Sequence, residues 1–160
     1  MILVFRNDPN DRLEIAVRKT DAFGSELKVV GDEALDETVY LSIRSGDSRI
    51  DIEQLASRQS LRHVIDLGER KLLYIGAAGK MLLAGMTDDE IADYLERTKM
   101  EPHGERTITT ADAMWADLRR IRRQGYAEGV MEGPSHSGGV AAPIVDALGR
   151  TAGSIAVIAP

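Results

Sequence analysis

The sequence predicts an α+β domain with antiparallel strands near both ends and helices between them. Apolar residues over 39–43 alternate with polar neighbours, as they do in a half-buried strand. Thr87 and Glu90 are spaced as a capping box, which is typical of a helix start. The apolar segments 140–145 and 152–158 are joined by turn residues and predict paired strands in the middle of a sheet. Strands followed by helices and further strands indicate the α+β class.

Composition limits the function. The chain has 160 residues, 43% of them apolar, which fits one domain with a buried core. It has no cysteine, so disulfides, thiolate metal sites and cysteine catalysis are excluded. A net charge of −6 indicates that this chain does not by itself bind nucleic acid through the phosphates. No apolar run reaches the ~20 residues of a membrane span, and the start lacks a signal-peptide pattern, so we expect a cytoplasmic protein with no membrane partner.

The first 36 residues are expected to form a lead-in or linker. Segments 2–5 and 13–17 are β-prone and flank turn residues at 7–11, which predicts a hairpin. Residues 19–36 are acidic and weakly patterned, as in a connector. We therefore place a domain boundary near Asp36.

A second hairpin and three helices follow this boundary. A turn at 45–48 separates the strand at 39–43 from another that contains Ile50 and Ile52. The helices are predicted over 77–84, 88–97 and 111–124, and Gly85 and Gly125 are expected to end the first and the third.

The segment Gly76-Ala77-Ala78-Gly79-Lys80 is glycine-rich and precedes a helix, which invites comparison with a phosphate loop. The spacing does not fit, because Tyr74 stands where the motif needs glycine and Met81 replaces its Ser or Thr. Two interpretations stay open. Small residues at a helix start leave amides available to an anion, or they only allow tight packing of helix on sheet.

A basic run marks the end of the third helix, comprising Arg119, Arg120, Arg122 and Arg123. Positive charge complements a helix C-terminus, so a solvated face is favoured over DNA contact. Met114 and Trp115 are expected in the core rather than at a cofactor.

No catalytic or metal site is predicted. His63, His103 and His136 lack partners at zinc-ligand spacing. Ser135 and Ser137 flank His136, but no nucleophile elbow surrounds them, and the segment is typical of a loop.

Several short motifs together resemble one known family. They are Glu37-Thr38-Val39-Tyr40-Leu41, Ser57-x-x-x-Leu61-Arg62, Gly68, Ala77-x-Gly79-Lys80-x-Leu82-Leu83-Ala84, Ile121-Arg122-x-x-Gly125-Tyr126-Ala127 and Ala141-Ala142-Pro143-x-x-Asp146-x-x-Gly149. In this order and spacing, residues 37–160 resemble the effector-binding domain of IclR-type bacterial transcriptional regulators.

The resemblance implies a GAF-like fold, in which a curved antiparallel sheet with flanking helices holds a pocket for a small molecule. It implies that the domain senses a metabolite without cofactor or catalysis, forms a homodimer or tetramer, and controls a winged helix-turn-helix. The first 36 residues are too few for that DNA-binding module, although the segment 2–17 is a candidate remnant of its wing. The final helix of the family is also expected to be missing. A fragment, a shortened reading frame and a trimmed chain all stay open.

The resemblance also nominates ligand-binding positions. They are Leu61, Leu72, Ala77, Ala78, Gly79, Gly129, Gly139, Ala156 and Ile158. At four of these positions the resemblance implies a change. Relatives often carry an acid at the position of Gly129, a cysteine at that of Gly139, and serines at those of Ala156 and Ile158. This chain therefore has fewer polar contacts for a small keto-acid. Because a buried carboxylate needs donors, we expect an apolar or aromatic acid as effector, oriented by the amides of Ala77 and Ala78. Two alternatives are a GAF-like hydrolase and a dimerisation module without ligand.

Overall fold

The computed structural model describes residues 37–160 in full and, before them, the backbone of three short strands. Strands β1 (Ile2–Val4), β2 (Ala16–Arg18) and β3 (Lys28–Val29) form a small antiparallel sheet in the order β1-β2-β3. Residues 1–36 and 37–160 are two separate compact units. The predicted turn at 7–11 and most of the predicted connector lie outside the described residues. The assignment of residues 1–36 to a wing remnant stays a prediction.

The second unit is built on a six-stranded antiparallel sheet. Its strands lie in the order β6-β5-β4-β9-β8-β7. They are β4 (Thr38–Ser45), β5 (Ser48–Leu55), β6 (Arg70–Leu72), β7 (Ala127–Val130), β8 (Gly138–Val145) and β9 (Thr151–Ala159).

Two predicted hairpins supply the four inner strands of this sheet. The turn between β4 and β5 contains Gly46 with φ 62°, a left-handed value that favours glycine. The apolar pair β8 and β9 lies inside the sheet, as predicted, because neither strand has a polar face to offer to solvent. The edge strands β6 and β7 were not predicted, since three or four residues carry too little periodicity.

Three helices connect the two halves of the sheet: α1 (Gly76–Ala84), α2 (Asp88–Arg97) and α3 (Ala111–Gln124). The predicted capping box of α2 is confirmed, since Thr87 Oγ1 accepts from the Glu90 amide at 3.3 Å and Glu90 Oε2 accepts from the Thr87 amide at 2.9 Å. Gly125 ends α3 with φ 83°, as expected of a C-terminal glycine. Among the described helices, none combines the length and the hydropathy of a membrane span.

Helix α1 is the centre of the core. Every residue from 77 to 84 is buried, and the helix packs on the sheet and on α3. At Gly79 a Cβ would lie 2.5 Å from the Leu73 carbonyl oxygen, so glycine is needed for this close approach. Met114 is fully buried and Trp115 packs against the core, which confirms their predicted placement.

The basic run on α3 is only partly a solvated face. Arg119 and Arg123 are exposed, as expected. Arg122 instead donates to the carbonyl oxygens of Ala84 at 2.8 Å and Met86 at 2.7 Å, and therefore binds the end of α1 to α3.

Candidate ligand-binding site

A cavity of about 220 Å³ lies beside the first turn of α1. Strands β4, β5 and β6 form one wall, and the loop between β7 and β8 forms another. Its apolar lining includes Tyr40, Val64, Ile65, Ile75, Ala77, Pro134 and Ile158. Its charged and polar lining includes Arg49, His63, Asp66, Lys71, Glu132, Ser135 and Ser137, and glycines complete it.

Four of the predicted ligand positions line this cavity: Ala77, Gly129, Gly139 and Ile158. The other five lie elsewhere. Ala78 and Ala156 are fully buried, and Gly79 faces the Leu73 carbonyl. Leu61 is 73% exposed and Leu72 is 39% exposed, and neither lines the cavity. The ligand-binding role of all nine stays a prediction.

The start of α1 already holds an anion from the protein itself. The Gly76 amide donates to Glu132 Oε2 at 2.8 Å. A carboxylate at this position is stabilised by the positive end of the helix dipole. The Gly76 amide is therefore not available to an effector, and no sequence pattern indicated this contact.

Glycine at position 129 permits the approach of β7 to this helix start. A Cβ there would lie 2.6 Å from the Ala77 nitrogen and 2.9 Å from the Gly76 Cα, both of them backbone atoms. A larger residue could fit only if the helix moved.

Glu132 belongs to a buried ion cluster, which we call the inner cluster: Lys80, Glu132 and Asp117. The Lys80 ammonium contacts Glu132 Oε1 and lies 3.0 Å from Asp117 Oδ2, and its side chain is only 2% exposed. One cation thus lies between two carboxylates. The second carboxylate also accepts from Arg120 at 2.7 Å.

The electrostatics of Asp117 follow from these neighbours. Burial acts to raise its pKa, but the hydrogen bond from Arg120 and the charge of Lys80 outweigh burial, so the pKa lies below its usual value. Asp117 therefore stays ionised at neutral pH.

The loop that carries Glu132 has an unusual backbone conformation. The preceding residue, Met131, has φ 54°, an uncommon value for a residue with a side chain. Thr107 Oγ1 donates to the Glu132 carbonyl oxygen at 2.6 Å and holds the loop. Strain of this kind persists only where surrounding contacts enforce it, and it concentrates at functional sites.

The opposite wall carries a second ion cluster, which we call the outer cluster: Arg49, Asp51 and Lys71. Lys71 Nζ lies 3.0 Å from Asp51 Oδ2, and Arg49 Nε lies 3.3 Å from Asp51 Oδ1. The Asp51 carboxylate is fully buried and accepts a 2.6 Å hydrogen bond from Ser42 Oγ. Here one carboxylate lies between two cations.

The Arg49 guanidinium packs over the ring of Tyr40. The guanidinium carbon lies 5.7 Å from the centre of the Tyr40 ring, within cation-π range. Burial raises the pKa of the Tyr40 hydroxyl, which is therefore neutral at physiological pH.

The serine and histidine residues of the β7–β8 loop do not form a catalytic arrangement. Ser135 Oγ and Ser137 Oγ lie 3.0 Å apart and contact each other. His136 is exposed, does not line the cavity and has no hydrogen bond to either serine within residues 37–160. Over the same residues, no group of three potential ligands is placed to hold a metal ion.

Comparison with known proteins identifies the family. The family model described as Bacterial transcriptional regulator IclR C-terminal matches residues 22–160. The chain belongs to this IclR family. It is 33% identical over 124 residues to the HTH-type transcriptional regulator KdgR of Escherichia coli, an alignment that covers 78% of this chain and 47% of KdgR. The chain thus spans about half the length of the curated relatives it matches.

Solved structures confirm the predicted fold class of an IclR effector domain. The IclR protein of Thermotoga maritima superposes with a TM-score of 0.73 at 29% identity, covering 79% of this chain and 51% of that protein. The inducer-binding domain of a PobR double mutant from Acinetobacter, in complex with 3-hydroxybenzoic acid, gives a TM-score of 0.71. At 18% identity over 79% of this chain and 74% of that one, the second likeness shows the fold alone.

The matched IclR-type proteins are transcriptional regulators, and none of those named is an enzyme, in agreement with the prediction of a non-catalytic domain.

The resemblance did not nominate Tyr40, Arg49, Lys71 or Glu132, although all four line the cavity. One signal was present in the sequence. Arg49 and Asp51 are two residues apart in a predicted strand and therefore share a face. Lys71 gave no signal, because its strand is too short to predict.

Proposed function

We propose that this chain is the effector-sensing domain of an IclR-type regulator and that the effector binds in the cavity beside α1. The observation that carries this proposal is the cavity itself, which is bordered by the sheet, by the start of a helix and by a strained loop. Pockets with apolar walls and a few converging polar groups are the usual form of small-molecule sites.

The lining favours an acid with an apolar body. Ile75, Ala77 and Ile158 offer apolar contact area, while Arg49 and Lys71 supply positive charge. The volume of about 220 Å³ is below the ~300–1,000 Å³ of pockets for drug-sized ligands. We therefore propose a small apolar or aromatic acid as the effector.

Regulation requires that binding favour one state of the regulator over another. We propose that the domain acts in the cytoplasm within a homodimer or tetramer and controls a helix-turn-helix of the same protein. A coupling free energy of ~1–3 kcal/mol would change DNA affinity by roughly 5- to 150-fold. By itself this domain should show no sequence preference for DNA in a mobility-shift assay.

A thermal-shift screen tests the effector class. The chain is heated with benzoate, 3-hydroxybenzoate, phenylacetate, glyoxylate or pyruvate at several concentrations. We expect a concentration-dependent rise in melting temperature with one or more aromatic acids, because a ligand that binds only the folded state stabilises it. Stabilisation by the keto-acids alone would refute the proposed class, and no stabilisation by any acid would favour the dimerisation module.

Two matched substitutions locate the site. Ile158→Phe adds bulk to the cavity wall and should abolish the stabilisation by the aromatic acid. Ile52→Phe makes the same change at a β5 residue that is 48% exposed and outside the cavity, and should leave it intact. Equal effects of the two variants would place the ligand elsewhere.

His136→Ala should also leave binding intact, whereas a hydrolase would require that residue.

A further inference from the structure

The outer cluster has an unusual arrangement of charge. Arg49 on β5 and Lys71 on β6 are directly paired across the two strands. Like charges at such positions are destabilising. Asp51 lies two residues along β5 and neutralises only one of the two cations. Both cations contact Asp51, but the three side chains together carry one net positive charge at the cavity wall.

The cations are held in place before any ligand arrives. Asp51 is fixed by Ser42, and the Tyr40 ring supports the guanidinium of Arg49. Arg49 Nε is buried and makes no hydrogen bond among the described residues, although it lies in the ion pair. Arg49 Nη1 reaches toward α1, since it lies 3.7 Å from the position that a Cβ on Gly76 would take.

The wall of the cavity beside α1 has fewer available hydrogen-bond donors and less available positive charge for an anion than the wall with the outer cluster. Glu132 engages the Gly76 amide and Lys80, and Lys80 is committed to Asp117 as well. A second carboxylate at this end would meet the negative charge of Glu132. The exposed side chain of Asp66 is the other acid in the lining.

We propose that Arg49 and Lys71 are the specificity-determining residues of the cavity and bind the carboxylate of the effector, whose apolar body points toward Ile75, Ala77 and Ile158. This inference rests on the proposed function, since it concerns the same cavity. It replaces the expectation that amides of α1 orient the acid. The bound carboxylate would complete the outer cluster with two cations and two anions.

The test compares acids with their neutral amides. Benzoate is paired with benzamide and 3-hydroxybenzoate with 3-hydroxybenzamide, and each dissociation constant is measured by calorimetry on the whole chain. We expect the acid of at least one pair to bind about tenfold or more tightly than its amide, because charge-assisted hydrogen bonds are the stronger ones. The preference should disappear in Arg49→Met and in Lys71→Met.

Arg70→Met is the matched control. Arg70 neighbours Lys71 on β6, but it donates to the Ser45 carbonyl oxygen at 3.1 Å and does not line the cavity. This variant removes the same charge and should keep the preference for the acid. Because Asp51 retains one cation in each outer-cluster variant, both should fold, and circular dichroism checks this.

The outcomes separate the two proposals. If neither member of any pair binds, the proposed effector class fails and the inference fails with it. If acid and amide bind equally, the effector site stands and the inference is overturned. If the acid is preferred and either outer-cluster variant keeps that preference, the residue replaced in that variant does not bind the carboxylate, which also overturns the inference.

Discussion

The two ion clusters that border the cavity have opposite compositions. In the inner cluster one cation, Lys80, lies between two carboxylates, and its side chain is 2% exposed. In the outer cluster one carboxylate, Asp51, lies between two cations whose side chains are 11% and 27% exposed. The inner cluster fixes the start of α1 through Glu132, whereas the outer cluster leaves positive charge facing the cavity.

We propose that this difference separates a structural role of the inner cluster from a ligand-binding role of the outer cluster. Buried charges are tolerated when they are paired and hydrogen-bonded, and removal of one partner is costly because it strands the other. In the inner cluster both acids have further donors, the Gly76 amide for Glu132 and Arg120 for Asp117. In the outer cluster, Asp51 is the one carboxylate that contacts Arg49 and Lys71 among the described residues, and a ligand carboxylate is proposed to supply the second anion.

The largest effect is expected from loss of the central cation. Lys80→Met removes the cation that Glu132 and Asp117 share, and both carboxylates are at most 11% exposed, so we expect the free energy of unfolding to fall by about 3–5 kcal/mol. Denaturation in urea measures this change. The double variant Lys80→Met/Glu132→Gln should recover part of the loss, because one stranded charge is removed. If Lys80→Met is as stable as the original chain, the inner cluster is not structural.

Loss of the central anion should have the next largest effect. Asp51→Asn leaves Arg49 and Lys71 opposite each other without a carboxylate, and we expect a loss of about 2–3 kcal/mol, since both cations are partly exposed. Lys71→Met is the matched comparison within the same cluster. It keeps the pair of Arg49 with Asp51 and should change stability by less than about 1 kcal/mol. Equal losses in these two variants would contradict the assignment of excess positive charge.

A smaller loss is expected where β7 meets α1. Gly129→Ala places a Cβ against backbone atoms of Gly76 and Ala77, and overpacking of this kind costs about 1–3 kcal/mol. The control is Gly133→Ala, whose Cβ would meet only Ile75 Cγ2, at 3.8 Å. Thermal unfolding should distinguish the two variants, and a destabilised control with an unaffected Gly129→Ala would show that the helix start is not held by this contact.

The smallest expected effect is the dependence of stability on pH that arises from Asp117 in the inner cluster. The pKa of Asp117 is lower in the folded protein than its ordinary value of 3.8. The stability that it contributes is therefore present above pH 3.8 and is lost as the pH falls through the lower folded value. Asp117→Asn should be less stable than the original chain at neutral pH, and the two curves of stability against pH should converge below pH 4. Parallel curves would show that the carboxylate is not stabilised by folding.

The architecture was largely predictable because it rests on local patterns. The capping box at Thr87 predicted the start of α2, and Gly125 predicted the end of α3. Alternation of apolar and polar residues over 39–43 indicated the first hairpin of the sheet. The site was less accessible to prediction. Its charged residues lie on four separate segments, and the pairing of Arg49 with Lys71 depends on a strand of three residues. Glu132 follows Met131, whose unusual backbone is not indicated by side-chain patterns.

We propose above all that a small acid occupies the cavity beside α1. The most direct measurement is a titration of the ¹⁵N-labelled chain with 3-hydroxybenzoate, followed by amide chemical shifts. We predict saturable changes concentrated at cavity residues, with Gly76, Gly129 and Gly139 among the largest. Saturable changes confined to distant surfaces, such as α2 or the turn at Leu148, or no saturable change at all, would contradict the claim.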